Sequence, residues 1–86
     1  MVRIFVPDVP EFSPLVEAAR ANTACRVKPH AASYLAIECA GPVEFRRKEM
    51  GLKPAIWYGL FTGGIEGVIE QFDRDVVRIV PLTASA

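Results

Sequence analysis

Residues 56–80 read IWYGLFTGGIEGVIEQFDRDVVRIV, and they are the part of the chain richest in strand-forming side chains. Gly63-Gly64 is typical of a two-residue hairpin turn, and Asp73-Arg74-Asp75 is typical of a three-residue turn. The pattern therefore predicts a three-stranded antiparallel meander with strands at 56–62, 65–72 and 76–80.

The two turns fix the predicted register of this meander, with Ile69 opposite Ile79 and Glu70 opposite Arg78. Its core face carries Ile56, Tyr58, Leu60, Ile65, Ile69, Val77 and Ile79. Its second face carries Trp57, Phe61, Val68, Phe72, Val76 and Val80, with Glu66, Glu70 and Arg78 among them. An antiparallel sheet with one solvated face normally alternates apolar and polar residues, so we expect this second face to be covered.

Three coverings of the second face stay open: a helix or the curled sheet itself, a second copy of the chain, or an aromatic ligand. We expect a small non-catalytic association domain that acts as a homodimer or as an accessory subunit of a protein partner. The interface residues would be Trp57, Phe61 and Phe72 as anchors, with Glu66, Glu70 and Arg78 as orienting charges. The alternative is a binding domain or small enzyme for an aromatic or apolar metabolite. It would hold the ligand on the same face or in the gap at Gly59 and Gly67, with Glu66 or Glu70 as acid–base candidate.

The first half of the chain supplies the other predicted elements. They are a strand at Val2–Val6, a helix over 14–22 capped by Ser13 and closed by Asn22, a hairpin over 25–39, and a short helix over 43–50 ended by Gly51. Together these elements predict a single α+β domain over residues 1–86, with a frayed tail at 82–86. Its mostly antiparallel sheet runs in the order β-α-β-β-α-β-β-β with two short helices on one face, and a partly open barrel is the variant.

Cys25 and Cys39 flank the predicted hairpin, which is centred on Ala32. That centre sets Cys25 opposite Cys39, Arg26 opposite Glu38 and Val27 opposite Ile37. Opposed residues on antiparallel strands are close enough for a disulfide, so a redox pair is one interpretation. The sequence favours the other, two reduced thiols packed in the core, because there is no CxxC motif.

Composition bounds the class of protein. The chain has 86 residues, 51% of them hydrophobic, and a formal net charge of zero, which indicates one globular domain and disfavours a nucleic-acid binder. Arg46-Arg47-Lys48 is the densest basic cluster, but Glu44 and Glu49 flank it and favour a solvated helix face. No stretch approaches the roughly 20 apolar residues of a membrane helix, and the N-terminus lacks a signal-peptide pattern. We therefore expect a cytoplasmic protein without membrane contact.

The sequence offers few groups for chemistry. His30, the single histidine, lies in a predicted loop with no orienting partner, and its spacing from Cys25 and Cys39 matches no zinc pattern. Glu66 and Glu70 would lie about 13 Å apart along one strand, farther than the usual carboxylate pair of glycoside hydrolysis. We therefore expect no catalytic residue, no metal and no cofactor.

Overall fold

The computed structural model describes residues 1–82 and shows an α+β domain of two antiparallel sheets and a few short helices, as predicted. Among these residues the strands are β1 (Val2–Pro7), β2 (Cys25–His30), β3 (Tyr34–Cys39), β4 (Val43–Arg46), β5 (Ile65–Glu66), β6 (Val68–Phe72) and β7 (Val76–Val80). The helical segments are a 3-10 helix (Pro10–Phe12), α1 (Ser13–Ala21), α2 (Arg47–Met50) and α3 (Pro54–Tyr58).

Two sheets replace the single sheet that was expected. Sheet A has the strand order β2-β3-β1-β5, and sheet B has the order β4-β7-β6. Within residues 1–82 neither sheet closes into a barrel. Both sheets and α1 contribute to one core, whose fully buried members include Val2, Ile4, Leu15, Ile37, Trp57, Val77 and Ile79. Of the predicted frayed tail, Leu82 is described and exposed, and residues 83–86 lie outside the described part of the chain.

The β2–β3 hairpin has the predicted register, with Cys25 opposite Cys39 and Val27 opposite Ile37. Ala31 and Ser33 adopt positive φ angles of 25° and 67°, which turn the chain at the predicted centre. Strand β1 pairs antiparallel with the other edge of β3. Its alternate residues from Val2 to Val6 are buried as predicted, so one face of sheet A forms the floor of the core.

Helix α1 forms one residue earlier than predicted, the predicted Ser13 cap is wrong, and Asn22 caps the end of the helix as predicted but without the left-handed conformation. Ser13 is already inside the helix because the preceding 3-10 turn leads directly into it, and Phe12 occupies the capping position. Asn22 is extended (φ −92°) and its side-chain oxygen accepts a hydrogen bond from the Ala24 backbone N–H at 2.9 Å. Asn22 therefore organises the turn into β2 instead of closing the helix in a left-handed conformation.

The predicted helix over 43–50 is wrong in its first half. Val43 and Phe45 are buried while Glu44 and Arg46 are exposed, which is the period-two pattern of a strand with one buried face. This segment is β4, an edge strand of sheet B that pairs with β7. The short helix α2 follows, and Gly51 ends it with a φ of 71°, as predicted.

The first strand of the predicted meander does not form: residues 56–58 belong to α3, and residues 59–62 form turns. Pro54 occupies the first turn of α3, where its missing N–H costs nothing, and Gly59 ends the helix. Trp57 on this helix is fully buried, and its indole N–H donates to the Asp73 carbonyl oxygen at 2.6 Å. Residues 56–62 are therefore not a strand despite their strand propensity, and the helix places the Trp57 indole against the β6–β7 turn.

The second strand of the predicted meander divides at Gly67. Ile65 and Glu66 pair with β1 in sheet A, whereas Val68 begins β6 in sheet B. A β-bulge at Glu70 then keeps Ile69 opposite Ile79 but moves Phe72 opposite Val77, where Val76 was predicted. A one-residue insertion reverses which face each later side chain occupies, so Phe72 joins the core-facing side of sheet B.

Candidate functional site

Phe72 is the centre of an aromatic cluster between α3 and sheet B. Its ring centroid lies 5.1 Å from that of Phe61 and 5.8 Å from those of Trp57 and Tyr58. The contacts with Trp57 and Phe61 are edge-to-face, an arrangement that aromatic quadrupoles favour. The cluster brings together the three aromatic residues that the sequence singled out.

Trp57 has a different role from the one expected. It is fully buried and hydrogen-bonded, so it supports Phe72 from inside the core and presents no surface to a partner. The aromatic sheet face predicted for the meander is therefore absent within residues 1–82, and its main aromatic residue, Trp57, belongs to helix α3 and is buried in the core. Phe61 and Phe72 are each partly buried.

Three members of this cluster form an apolar rim at the surface together with Ile69, and we define the rim as Tyr58, Phe61, Ile69 and Phe72. Tyr58 is 56% exposed and Ile69 is 42% exposed, although both were predicted on the core face. Ile69 and Phe72 lie on β6, which pairs with β7 on one side and has no strand on its other side within residues 1–82. The rim thus follows an open sheet edge, where apolar side chains and free backbone groups occur together.

The predicted charged residues divide between the two sheets. Arg78 Nε donates to Glu70 Oε1 at 2.6 Å, so this predicted pair forms even though the bulge changes the register. Glu66 lies on β5 and binds Arg3 Nη1 at 2.8 Å. Glu66 and Glu70 therefore do not share a strand face. The expected gap at Gly59 and Gly67 does not form: Gly59 ends α3, and at Gly67 a Cβ would lie 2.9 Å from Ile79 Cγ2.

Cys25 and Cys39 are joined by a disulfide, with their Cα atoms 4.0 Å apart. The expectation of two reduced thiols is thus corrected, whereas the predicted register that opposes them is confirmed. Cys39 is fully buried and Cys25 is partly exposed. Use of this pair as a redox switch stays a prediction.

The outer face of sheet A carries a polar site of which the sequence predicted only the Arg26–Glu38 opposition. The register aligns Arg26, Glu38, Arg3 and Glu66 across the four strands, and next to them Lys28, Ala36 and Phe5. Glu38 is central and only 7% exposed. It accepts from Lys28 Nζ at 3.0 Å and from Arg3 Nε at 3.1 Å. The Lys28 hydrogen bond and the Arg3 guanidinium hold the pKa of Glu38 below its ordinary value, although burial opposes this.

His30 belongs to this outer face and not to a loop. It is the last residue of β2, and its ring centroid lies 4.5 Å from that of Phe5 on β1. A cavity of about 190 Å³ lies between these rings and the charged residues, and its lining comprises Arg3, Phe5, Lys28, His30, Ala36, Glu38 and Glu66. In the sequence, the signal for this face is the alternation of polar residues in β1 and β2. That alternation indicates a shared face only when the pairing of β1 with β3 is known.

The remaining polar clusters mainly serve the fold. Arg47 Nε donates to the Arg74 carbonyl oxygen at 2.7 Å, and Arg46 Nη2 lies 3.0 Å from Glu44 Oε2. Two of the three residues of the basic cluster thus have partners within the chain. A larger groove of about 340 Å³, beside the start of α1 and of α3, is lined mostly by proline and aliphatic side chains, among them Pro10, Pro14, Leu52 and Ile56.

Within residues 1–82, no three or more His, Cys, Asp or Glu side chains are grouped so as to hold a metal ion. No helix in that part of the chain has the length and apolar character needed to cross a bilayer. The molecule is thus defined as a small α+β domain with an apolar rim and a polar sheet face. Comparisons with models of protein families, with curated proteins and with solved structures give no match.

Proposed function

We propose that this protein is a non-catalytic association domain that forms a homodimer through the apolar rim along β6. The observation that carries the proposal is the exposure of Tyr58 and Ile69 beside the half-buried Phe61 and Phe72 at an open sheet edge. Contiguous exposed apolar side chains favour burial against another surface. Aromatic residues supported from beneath, as Phe72 is by Trp57, supply much of the energy of protein interfaces.

Charge favours a second copy of this chain as the partner. The formal net charge of zero leaves no long-range repulsion between two copies. The Glu70–Arg78 ion pair beside the rim is half exposed and offers one acid and one base. A two-fold interface that sets Glu70 of one copy against Arg78 of the other also sets Arg78 of the first against Glu70 of the second, so the pair is self-complementary.

The size of the molecule sets how much surface the dimer uses. The accessible surface is 4976 Å², and a standard interface buries about 800 Å² per partner. This is about a sixth of the accessible surface, and it is a larger area than the four side chains of the rim supply. The free backbone edge of β6 and the side chain of Val68, which is 46% exposed, therefore belong to the proposed interface. The bulge at Glu70 twists this edge and thereby disfavours continued strand addition beyond a dimer.

Sedimentation velocity over a concentration series tests this proposal. We expect the wild-type protein to show a concentration-dependent dimer, and Ile69→Lys to raise its dissociation constant at least about tenfold because a cation replaces a buried apolar contact. Val9→Lys is the matched control, since Val9 is 40% exposed and lies outside the rim. Tyr58→Ser is a second rim variant, and circular dichroism checks that every variant is folded.

A wild-type protein that stays monomeric at high micromolar concentration would overturn the proposal. A dimer that Ile69→Lys and Tyr58→Ser leave unchanged would overturn the assignment of its interface to the rim. A dimer weakened equally by Val9→Lys would have the same consequence, because the effect would then follow added charge and not the position of the substitution.

A further inference from the structure

The outer face of sheet A contains a pit whose floor is a small side chain. Ala36 lies directly opposite Phe5 on β1 and Lys28 on β2, and its methyl group is the smallest side chain in that row. The rings of Phe5 and His30 come from the strands on either side of β3, so their contact, with 4.5 Å between centroids, passes over β3. The resulting cavity of about 190 Å³ has an aromatic wall on one side.

The opposite wall of the pit is rich in unused hydrogen-bond donors. An arginine side chain has five N–H donors and a lysine has three. Arg3 donates to Glu38 and Glu66, and Lys28 donates to Glu38, which leaves further N–H groups of both cations at the cavity. Glu38 is the carboxylate that both cations share.

The charges on this face have a positive excess. Arg3, Arg26 and Lys28 supply three positive charges, and Glu38 and Glu66 supply two negative charges. The excess comes from Arg26, which lies opposite Glu38 but outside the cavity lining, where two positive and two negative charges balance. An anion bound in the pit therefore balances the face, whereas a cation would add to the excess. Unused donors and positive charge both favour a ligand that brings acceptor oxygens.

We propose that this pit binds a small planar carboxylate. Its ring lies against Phe5 and His30, and its carboxylate accepts hydrogen bonds from Lys28 and Arg3, whose guanidinium geometry matches a carboxylate. The cavity is smaller than the roughly 300–1,000 Å³ of sites for larger ligands, so the ligand has about one ring. The residues that line the pit include none of the four residues of the apolar rim, so the test of the binding site and the test of the dimer can fail separately.

Titration of the ¹⁵N-labelled protein with benzoate at constant ionic strength, followed by ¹H–¹⁵N correlation spectra, tests this site. We expect saturable shifts at Phe5, Lys28, His30 and Ala36. Benzamide keeps the ring without the charge and acetate keeps the charge without the ring, so each is expected to bind at least about tenfold more weakly.

The substitution Lys28→Met keeps most of the aliphatic stem and removes the ammonium group, and Glu38 keeps its contact with Arg3. We expect this variant to bind benzoate about tenfold more weakly and to bind benzamide as the wild type does. Lys48→Met is the matched control, because Lys48 is exposed and lies outside the pit. Shifts that do not saturate, equal binding of acetate and benzoate, or unchanged benzoate affinity in Lys28→Met would each overturn the proposal.

Discussion

The disulfide between Cys25 and Cys39 ties an edge strand to the interior of sheet A. Most side chains of β2 are exposed, so apolar burial contributes little to its attachment. Backbone pairing with β3, the contacts of α1 and the disulfide hold it in place. The cysteines are separated by 14 positions, and a crosslink that closes such a loop stabilises a protein by about 3 kcal/mol in the chain-entropy model.

We therefore predict that reduction with dithiothreitol lowers the free energy of unfolding by about 3 kcal/mol. Urea denaturation with and without the reductant measures this change. The double variant Cys25→Ala/Cys39→Ala is the control, and the reductant is expected to leave its stability unchanged. Equal stability of the oxidised and reduced wild-type protein would contradict the prediction.

At the scale of single residues, the sequence predicted some contacts and did not predict others. It predicted that Cys25 opposes Cys39 because the hairpin is local and both faces of its strands constrain the register. It did not predict that Lys28 and Arg3 share Glu38, because Arg3 comes from a strand 35 positions away. The indole bond of Trp57 to the Asp73 carbonyl was missed for the same reason, since it joins residues 16 positions apart.

At the scale of elements, Gly67 lets the chain pass from sheet A to sheet B between β5 and β6. Its backbone approaches β7 so closely that a Cβ there would lie 2.9 Å from Ile79 Cγ2 and 3.0 Å from the Val80 carbonyl oxygen. Ile79 is fully buried and pairs with strands on both sides, so it has little room to move. A side chain at position 67 would therefore push the segment between β5 and β6 away from β7.

We predict that Gly67→Ala destabilises the protein by about 1–3 kcal/mol, the usual cost of overpacking a well-packed site. Gly41→Ala is the matched control, because a Cβ at Gly41 would meet no atom within 4 Å. Its effect should stay within about 0.5 kcal/mol. Thermal unfolding followed by circular dichroism measures the stability of both variants. A Gly67→Ala variant as stable as Gly41→Ala would contradict the prediction, because β7 would then move aside at little cost in free energy.

The elements were predictable where a local pattern specified them. Alternation predicted β1 and β7, and turn chemistry predicted the β2–β3 hairpin and the end of α2 at Gly51. The bulge at Glu70 was not predicted, because the register without a bulge already sets Glu70 opposite Arg78 and Phe72 opposite Val76, whereas the bulged register sets Phe72 opposite Val77. That bulge moved Phe72 to the core side, and with the helical placement of Trp57 it removed the aromatic sheet face on which the sequence-based functional hypothesis depended.

At the scale of the whole molecule, the two sheets stabilise each other through a shared core. Val2 and Ile4 from sheet A and Val77 and Ile79 from sheet B belong to the same buried cluster. The Cα radius of gyration is 11.9 Å, close to the roughly 12 Å expected for a compact domain of this length. Each sheet covers the apolar face of the other. Unfolding of one sheet alone would therefore expose the apolar face of the sheet that stayed folded.

We therefore predict that residues 1–82 unfold as one cooperative domain. Trp57 reports on α3 and its contact with the β6–β7 turn, and amide exchange at Ile37 reports on the centre of sheet A. Urea transitions followed by Trp57 fluorescence and by far-ultraviolet circular dichroism should coincide, and exchange at Ile37 should require an opening free energy equal to that of global unfolding. If the Trp57 transition came at lower urea while exchange at Ile37 stayed protected, sheet B would be a separate unit. The apolar rim would then belong to a segment that a partner orders, and not to a preformed surface.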